Sequence, residues 1–163
     1  MLNQVSILLI LIFTLQSCSN SNDQIYSELK NNLNDTVKVY NAEKFEFTDF
    51  KLYPQKTYFV NKKVKLLYLE GNGEMGENET YYLFETKNDS LLYIVSRTKY
   101  YKSQDRWKIA ADTIYVTDFK NKSEKKYANG KIVGNVKLKN DFLYQDDIMY
   151  DIKKHTEKKY NSR

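Results

Sequence analysis

Few side chains in this sequence could act as nucleophiles or as acid-base catalysts. The chain of 163 residues holds one cysteine, Cys18, and one histidine, His155. His155 lies in a basic C-terminal stretch where no neighbour would fix its tautomer, so we interpret it as a solvated side chain. A Ser-His-Asp triad would need that one histidine. We therefore predict a protein that is not an enzyme; paired carboxylates leave a carboxylate-based hydrolase as the least favoured alternative.

A glycine-rich segment, Gly71 to Gly76, has the G-x-G-x-x-G spacing of a dinucleotide-binding loop. Such a loop must lead into a helix whose N-terminus receives the pyrophosphate. The residues that follow, Glu77 to Phe84, have the composition of a strand instead. Four glutamates in and around the loop would also repel phosphate: Glu70, Glu74, Glu77 and Glu79. We therefore predict a hairpin loop and no nucleotide cofactor.

Carboxylates are also the ligands that Ca²⁺ prefers, so the same four glutamates are a candidate cation site. Their spacing lacks the Asp/Asn pattern of an EF-hand loop, and we interpret them as a solvated acidic loop. Asp146 and Asp147 are a weaker pair, because adjacent residues of a strand point to opposite faces. No metal site and no cofactor are predicted.

Tyrosine is the abundant chemical group of this chain, with 15 Tyr beside 8 Phe. Inward-facing rings would fill the core, and outward-facing rings would form cross-strand pairs. The functional alternative is a tyrosine-lined cavity or exposed face that binds a hydrophobic ligand, a glycan or a protein partner. Six tyrosines lie on or beside predicted strands: Tyr81, Tyr82, Tyr93, Tyr100, Tyr101 and Tyr115.

The first seventeen residues carry no charged side chain and include an apolar run from Val5 to Leu15. As a helix this run would span about 16 Å. That is roughly half of the ~30 Å hydrocarbon core of a bilayer. The length fits the apolar region of a secretory signal peptide. We predict that residues 1–17 are a cleaved signal peptide.

The segment at the end of this run, Leu15-Gln16-Ser17-Cys18, resembles the lipobox of bacterial lipoproteins. The resemblance implies cleavage before Cys18 and acylation of Cys18, including palmitate-type chains. Two or more acyl chains give a stable membrane anchor. Ser19 is not the aspartate that retains enterobacterial lipoproteins at the inner membrane, so the outer membrane is predicted, on either its periplasmic or its surface side. The heavy use of Lys, Asn, Ile and Tyr resembles Bacteroidota.

All charged side chains lie in the mature chain, residues 18–163, which has a formal charge of +5. The segment 151–163 holds five basic and two acidic residues, and we interpret it as a basic C-terminal tail. Such a tail could touch anionic lipid headgroups. Because an exported lipoprotein rarely meets nucleic acid, no nucleic-acid partner is predicted.

These side chains must be positioned mainly by strands. Residues 18–35 are predicted to be the lipidated N-terminus, a tether and a short helix over about 23–33, because Ile25, Leu29 and Leu33 recur every four residues. From Thr36 the apolar period is two, which predicts an antiparallel β domain over 36–150. Its strands include Val37 to Val39, Trp107 to Ala110, Thr113 to Phe119 and Phe142 to Tyr150. Turns are predicted at Asn88-Asp89, Ala111-Asp112, Asn129-Gly130 and Asn140-Asp141.

Short strands without intervening helices predict an all-β fold, a single small antiparallel barrel or sandwich of about eight strands. One cysteine, one proline and five glycines exclude disulfide scaffolds, zinc clusters and collagen. Residues 106–119, RWKIAADTIYVTDF, and residues 125–147 together resemble the C-terminal half of small lipocalin-like β-barrel lipoproteins. The resemblance implies a barrel among the possible β folds.

These observations predict a lipid-anchored, non-enzymatic lipoprotein of the cell envelope whose β domain binds a hydrophobic or glycan ligand or a protein partner. The alternative is a structural or accessory subunit of an envelope assembly, docked through an edge strand or the basic tail. A cavity lined by tyrosine and aliphatic residues would favour the first. A long unpaired edge strand with an exposed apolar patch would favour the second.

Overall fold

A computed structural model describes residues 21–49, 52–102, 105–138 and 147–163. The all-β prediction is confirmed, with eight antiparallel strands and an N-terminal helix. Cys18 and the predicted turn Asn140-Asp141 lie outside the described residues. In chain order the elements are α1 (Asn22–Val39), β1 (Glu43–Asp49), β2 (Leu52–Val60), β3 (Lys63–Gly73), β4 (Gly76–Phe84), β5 (Leu91–Lys102), β6 (Asp105–Asp118), β7 (Ser123–Ala128), β8 (Lys131–Lys137) and α2 (Asp147–Asn161).

The strands form one meander in which each pairs with the next, from β1 through to β8. Within the described part of the chain the pairing does not close from β8 back to β1, so the sheet is open. Two predicted turns are confirmed by left-handed backbone at their tips, with φ of 57° at Asp89 and 51° at Asn129. The glycine-rich segment is also a hairpin turn, where Gly73 pairs with Gly76.

One helix covers each face of the sheet. Alternation along β3 sends Leu66 to the face under α1 and Leu67 to the face under α2. Because both faces are covered at mid-sheet, the five consecutive residues 64–68 are all buried. The α1 cluster contains Tyr26, Leu33, Val37, Leu66, Leu83, Val95 and Ile114. The α2 cluster contains Phe59, Val64, Leu67, Phe84, Leu91, Ile94 and Met149.

Two predicted boundaries are wrong, one in α1 and one in β6. The helix α1 continues to Val39, so the strand expected at Val37 and Val39 does not form. Val37 is 4% exposed and extends the buried stripe of Leu33 by one turn. The turn expected at Ala111-Asp112 is instead continuous strand in β6, where Asp112 pairs with Lys99.

The C-terminal region is helical. The described part of the strand expected at Phe142 to Tyr150 belongs to α2, so that prediction is wrong. The segment interpreted as a basic tail, residues 151–163, carries most of this helix, which packs on the sheet. Met149, Lys153 and Thr156 are buried at helical spacing. The ring of Tyr160 stacks on Phe59, with centroids 3.8 Å apart.

Candidate functional site

The residues that the sequence singled out for catalysis do not form a site in the described part of the chain. Cys18 lies outside it, and His155 is on the exposed side of α2 with its ring centroid 6.3 Å from that of Phe47. No group of three or more potential metal ligands occurs among the described residues. Three of the four loop glutamates instead accept hydrogen bonds from tyrosines, in the pairs Tyr68 with Glu70, Tyr101 with Glu77 and Tyr26 with Glu79.

The predicted tyrosines do not share one exposed face. Tyr81 and Tyr93 lie on the α1 side of the sheet and pack against the α1 cluster. Tyr82 packs against the α2 cluster on the other side. Tyr100 is the most exposed of these, at 54%. Tyr101 and Tyr115 belong to neither cluster, so three of the six rings are half-buried against the core.

An ion-pair network joins the start of α1 to the sheet. Arg97 of β5 is 8% exposed and donates from Nε to Asp112 Oδ1 at 2.9 Å and from Nη2 to Asp112 Oδ2 at 2.6 Å. The same Nη2 lies 2.6 Å from Oδ1 of Asp23 in the first turn of α1. The guanidinium also lies 5.2 Å from the centre of the Tyr26 ring. These charge-assisted contacts fix where α1 crosses the sheet.

Asn22 extends this network from the start of α1 to the last turn of the sheet. Its Nδ2 donates to the backbone oxygen of Asp112 at 2.8 Å, and its Oδ1 accepts from the backbone N–H of Gly130 at 2.8 Å. Gly130 lies in the turn between β7 and β8. The first residue of α1 is therefore in direct contact with that turn, although 108 positions separate the two in sequence.

The network makes a testable contribution to acid stability. The hydrogen bond from Arg97, followed by its charge, lowers the pKa of Asp23. Because the folded-state pKa is below the unfolded value of about 3.9, this contribution is present above about pH 4 and is lost as the pH falls through the folded pKa. We expect Asp23→Asn to flatten the acid limb of stability, measured as the free energy of urea unfolding from about pH 6 to about pH 2. Asp35→Asn, on the exposed side of the same helix, is the control; an equal effect of both changes would contradict the assignment.

A cavity of about 280 Å³ lies between α1 and the sheet, and we call it the α1 groove. It is predominantly apolar, and two polar side chains from α1, Asn32 and Thr36, contribute to its lining. The Tyr93 side chain lines its sheet side. The full lining is Leu29, Asn32, Leu33, Thr36, Leu83, Tyr93, Val95 and Val116.

Part of the lining of this groove could be predicted from the sequence. Tyr93 was a candidate, and Leu29 and Leu33 were recognised as one helical stripe. No local sequence pattern indicated that a cavity would remain between this helical stripe and strands β4 to β6. A larger, more polar hollow of about 690 Å³ lies on the other side of α1, and its lining includes Asn31, Asn34 and Tyr58.

The last hairpin of the sheet forms a second distinctive surface. Along β8, Ile132, Val133 and Val136 are 55%, 58% and 59% exposed. Residues 120–137, which we call the β7–β8 edge, contain six lysines against Glu124. Their net charge of +5 equals that of the whole chain, so the remainder is formally neutral. From the sequence, the excess positive charge was expected in the C-terminal segment 151–163. The concentration of lysines in residues 120–137 was not predicted.

The opposite edge of the sheet is protected. On β1, Lys44 pairs with Glu46, and Phe45 lies against the ring of Tyr160 with centroids 5.6 Å apart. Charged side chains and a covering helix are common ways to prevent edge pairing. Within the described residues, β8 pairs only with β7 and is the more exposed edge.

Neither α1 nor α2 is long and apolar enough to cross a membrane, and the same holds for all described helices. Comparison of the chain with protein-family models, with curated proteins and with solved structures finds no match.

Proposed function

We propose that this protein is a non-enzymatic lipoprotein of the bacterial cell envelope that binds a small hydrophobic ligand in the α1 groove. Acyl chains on Cys18 anchor it in the outer membrane. The observation that carries the ligand-binding proposal is the lining of the groove. Six of its eight lining residues are aliphatic or tyrosine, the combination that the sequence analysis associated with a binding role.

The size of the groove limits what it binds. Ligand sites commonly enclose about 300 to 1,000 Å³, so a cavity of about 280 Å³ suits a small occupant. A short acyl chain or a single aromatic ring system has this size and chemistry. Its burial would contribute about 25 cal/mol per Å² of apolar surface removed from water. The amide of Asn32 provides a polar contact for one end of the ligand.

The chemistry of the lining supports binding rather than catalysis. The side chains around the groove are apolar groups, a tyrosine, an amide and a hydroxyl. The Thr36 hydroxyl donates to the backbone oxygen of Asn32 at 2.9 Å, within α1. Burial, followed by the nearby charge of Asp118, raises the pKa of Tyr93, so its phenol stays protonated and serves as a hydrogen-bonding group.

Titration with Prodan, a probe built on one naphthalene ring system, tests ligand binding, because its emission shifts to the blue when it leaves water. We expect saturable binding to the mature chain and a loss of at least about tenfold in affinity for Leu29→Trp, whose larger ring fills the groove. Val39→Trp is the matched control, since Val39 is on the same helix and 79% exposed. Urea unfolding of all three proteins checks that the helix remains docked.

Two results would count against this proposal. One is the absence of saturable binding to the wild-type chain. The other is unchanged affinity in Leu29→Trp together with unchanged stability, which would place the probe elsewhere. Val116→Phe fills the groove from the sheet side and gives a second, independent variant if Leu29→Trp displaces α1.

A second candidate function is favoured by the β7–β8 edge. A strand with exposed apolar side chains at the end of an open sheet suits a protein partner that adds a further strand. In that case the protein would be an accessory subunit of an envelope assembly. Ile132, Val133 and Val136 are the side chains that such a partner would cover.

A further inference from the structure

We propose that the β7–β8 edge lies against the headgroups of anionic phospholipid and orients the anchored domain on the membrane. This surface is separate from the α1 groove, and the inference goes beyond ligand binding there. It draws on three independent features of the chain: the position of Cys18, the clustering of lysine, and the apolar side chains of β8.

The first feature is geometric and rests on the lipidation proposed for Cys18. Cys18 precedes Asn22, the first residue of α1, by four positions. Even a fully extended chain spans at most about 3.6 Å per residue, so Cys18 lies within about 14 Å of Asn22. Asn22 in turn accepts the hydrogen bond from Gly130 in the β7–β8 turn. Acyl chains on Cys18 therefore hold this turn close to the membrane surface.

The second feature is charge. Six lysines and one glutamate occupy residues 120–137, and Lys125, Lys131 and Lys137 are exposed. Each cation near an anionic membrane surface strengthens binding by roughly fivefold. The attraction is confined to a Debye length of about 10 Å, so only a surface held at the membrane benefits from it. The β7–β8 edge meets that condition.

The third feature is the apolar group among these lysines. Ile132 and Val133 follow Lys131 directly, and Val136 precedes Lys137. All three apolar side chains are more than half exposed. Apolar side chains beside lysines are typical of segments that lie in the membrane interface. The apolar side chains insert below the headgroups, and the lysines contact the headgroups.

The other cationic segment of the chain is less suited to this role. In α2, Lys153 is buried and lies 2.8 Å from Glu157, and Arg163 lies 3.2 Å from Glu43. The helix packs on the other face of the sheet from α1, against side chains of β1 to β5. Its cations are partly neutralised and do not border the start of α1.

Vesicle binding tests the proposal without the lipid anchor. The probe is a vesicle of phosphatidylcholine with phosphatidylglycerol, compared with one of phosphatidylcholine alone. The protein is residues 18–163 with Cys18→Ser, which retains every described contact. The test variant is Lys125→Gln with Lys131→Gln and Lys137→Gln; the matched control removes three exposed lysines elsewhere, by Lys87→Gln, Lys154→Gln and Lys158→Gln.

We expect the protein to bind the anionic vesicles only. The affinity should fall roughly a hundredfold in the test variant and much less in the control, although both variants have the same net charge. Raising the ionic strength should weaken binding further. Equal weakening in both variants would show that overall charge, not this surface, is responsible, and would overturn the proposal. No binding to anionic vesicles would also overturn it and would leave a protein partner as the better occupant of the edge. Because the α1 groove is untouched in both variants, this failure is distinguishable from failure of ligand binding.

Discussion

Replacing Cys18 by serine is expected to abolish the incorporation of palmitate and to block cleavage of the chain before residue 18. The reason is that the proposed anchor is covalent and needs the Cys18 thiol. Two or more acyl chains hold a protein stably in a bilayer, whereas the described helices cannot span one. Metabolic labelling with palmitate, followed by gel electrophoresis of the labelled protein, measures both effects in one experiment.

The control for this experiment is the neighbouring change Ser19→Ala, which leaves the cysteine in place. We expect it to be labelled and cleaved as the wild type is. The Cys18→Ser chain should also accumulate as an uncleaved precursor, larger by the seventeen residues that precede Cys18. Equal labelling of wild type and Cys18→Ser would disprove lipidation.

Replacing Arg97 by leucine is expected to lower the free energy of unfolding by about 3 kcal/mol or more. The side chain of Asp112 is 18% exposed and would lose its two hydrogen bonds from the guanidinium. Asp23 would lose its partner as well, and the first turn of α1 would lose its contact with β5. Urea unfolding monitored by circular dichroism measures the effect.

Two further variants separate charge from geometry at this site. Arg97→Lys keeps the charge but not the planar fork of donors, so we expect an intermediate loss of stability. Arg97→Leu combined with Asp112→Leu removes both buried charges and should recover much of the loss. A change of less than about 0.5 kcal/mol in Arg97→Leu would mean that the network contributes little, as surface ion pairs often do.

The strands were predictable because their side chains follow a period of two and their turns contain residues that accept left-handed backbone. Asn129 and Asp89 are examples, and both have positive φ. The ends of the β domain were not predictable in the same way. Val37 and Val39 fit a strand and a helix equally well over so short a stretch, and the choice depends on Leu66 and Ile114 of the α1 cluster, which lie far away in sequence.

The helix α2 was missed for a different physical reason. Its buried positions follow helical spacing, but two of them are Lys153 and Thr156 rather than apolar residues. Lys153 is buried with its ammonium close to Glu157 and Asp89, at 2.8 and 3.2 Å. A hydrophobicity pattern cannot show a buried stripe that includes a threonine and a lysine neutralised by carboxylates.

The candidate sites depend even more on tertiary structure. The α1 groove combines one helix with strands that begin some fifty residues later, and no short motif marks it. The Arg97 network joins residues that are 15 and 74 positions apart. The β7–β8 edge is the exception, since the count of lysines over residues 120–137 is visible in the sequence. Recognising it required knowing that these residues form the last hairpin of an open sheet.

The contact of Asn22 with Gly130 also bears on how the chain folds as it is synthesised. The sheet is built from neighbouring hairpins, and short loops of this kind close quickly. The contact between Asn22 and the last turn is different, because it spans 108 positions. A chain that leaves the ribosome N-terminus first cannot make it until the segment around residue 130 has emerged. The helix α1 therefore acquires its complete docking site late in synthesis, after most of the strands beneath it have become available.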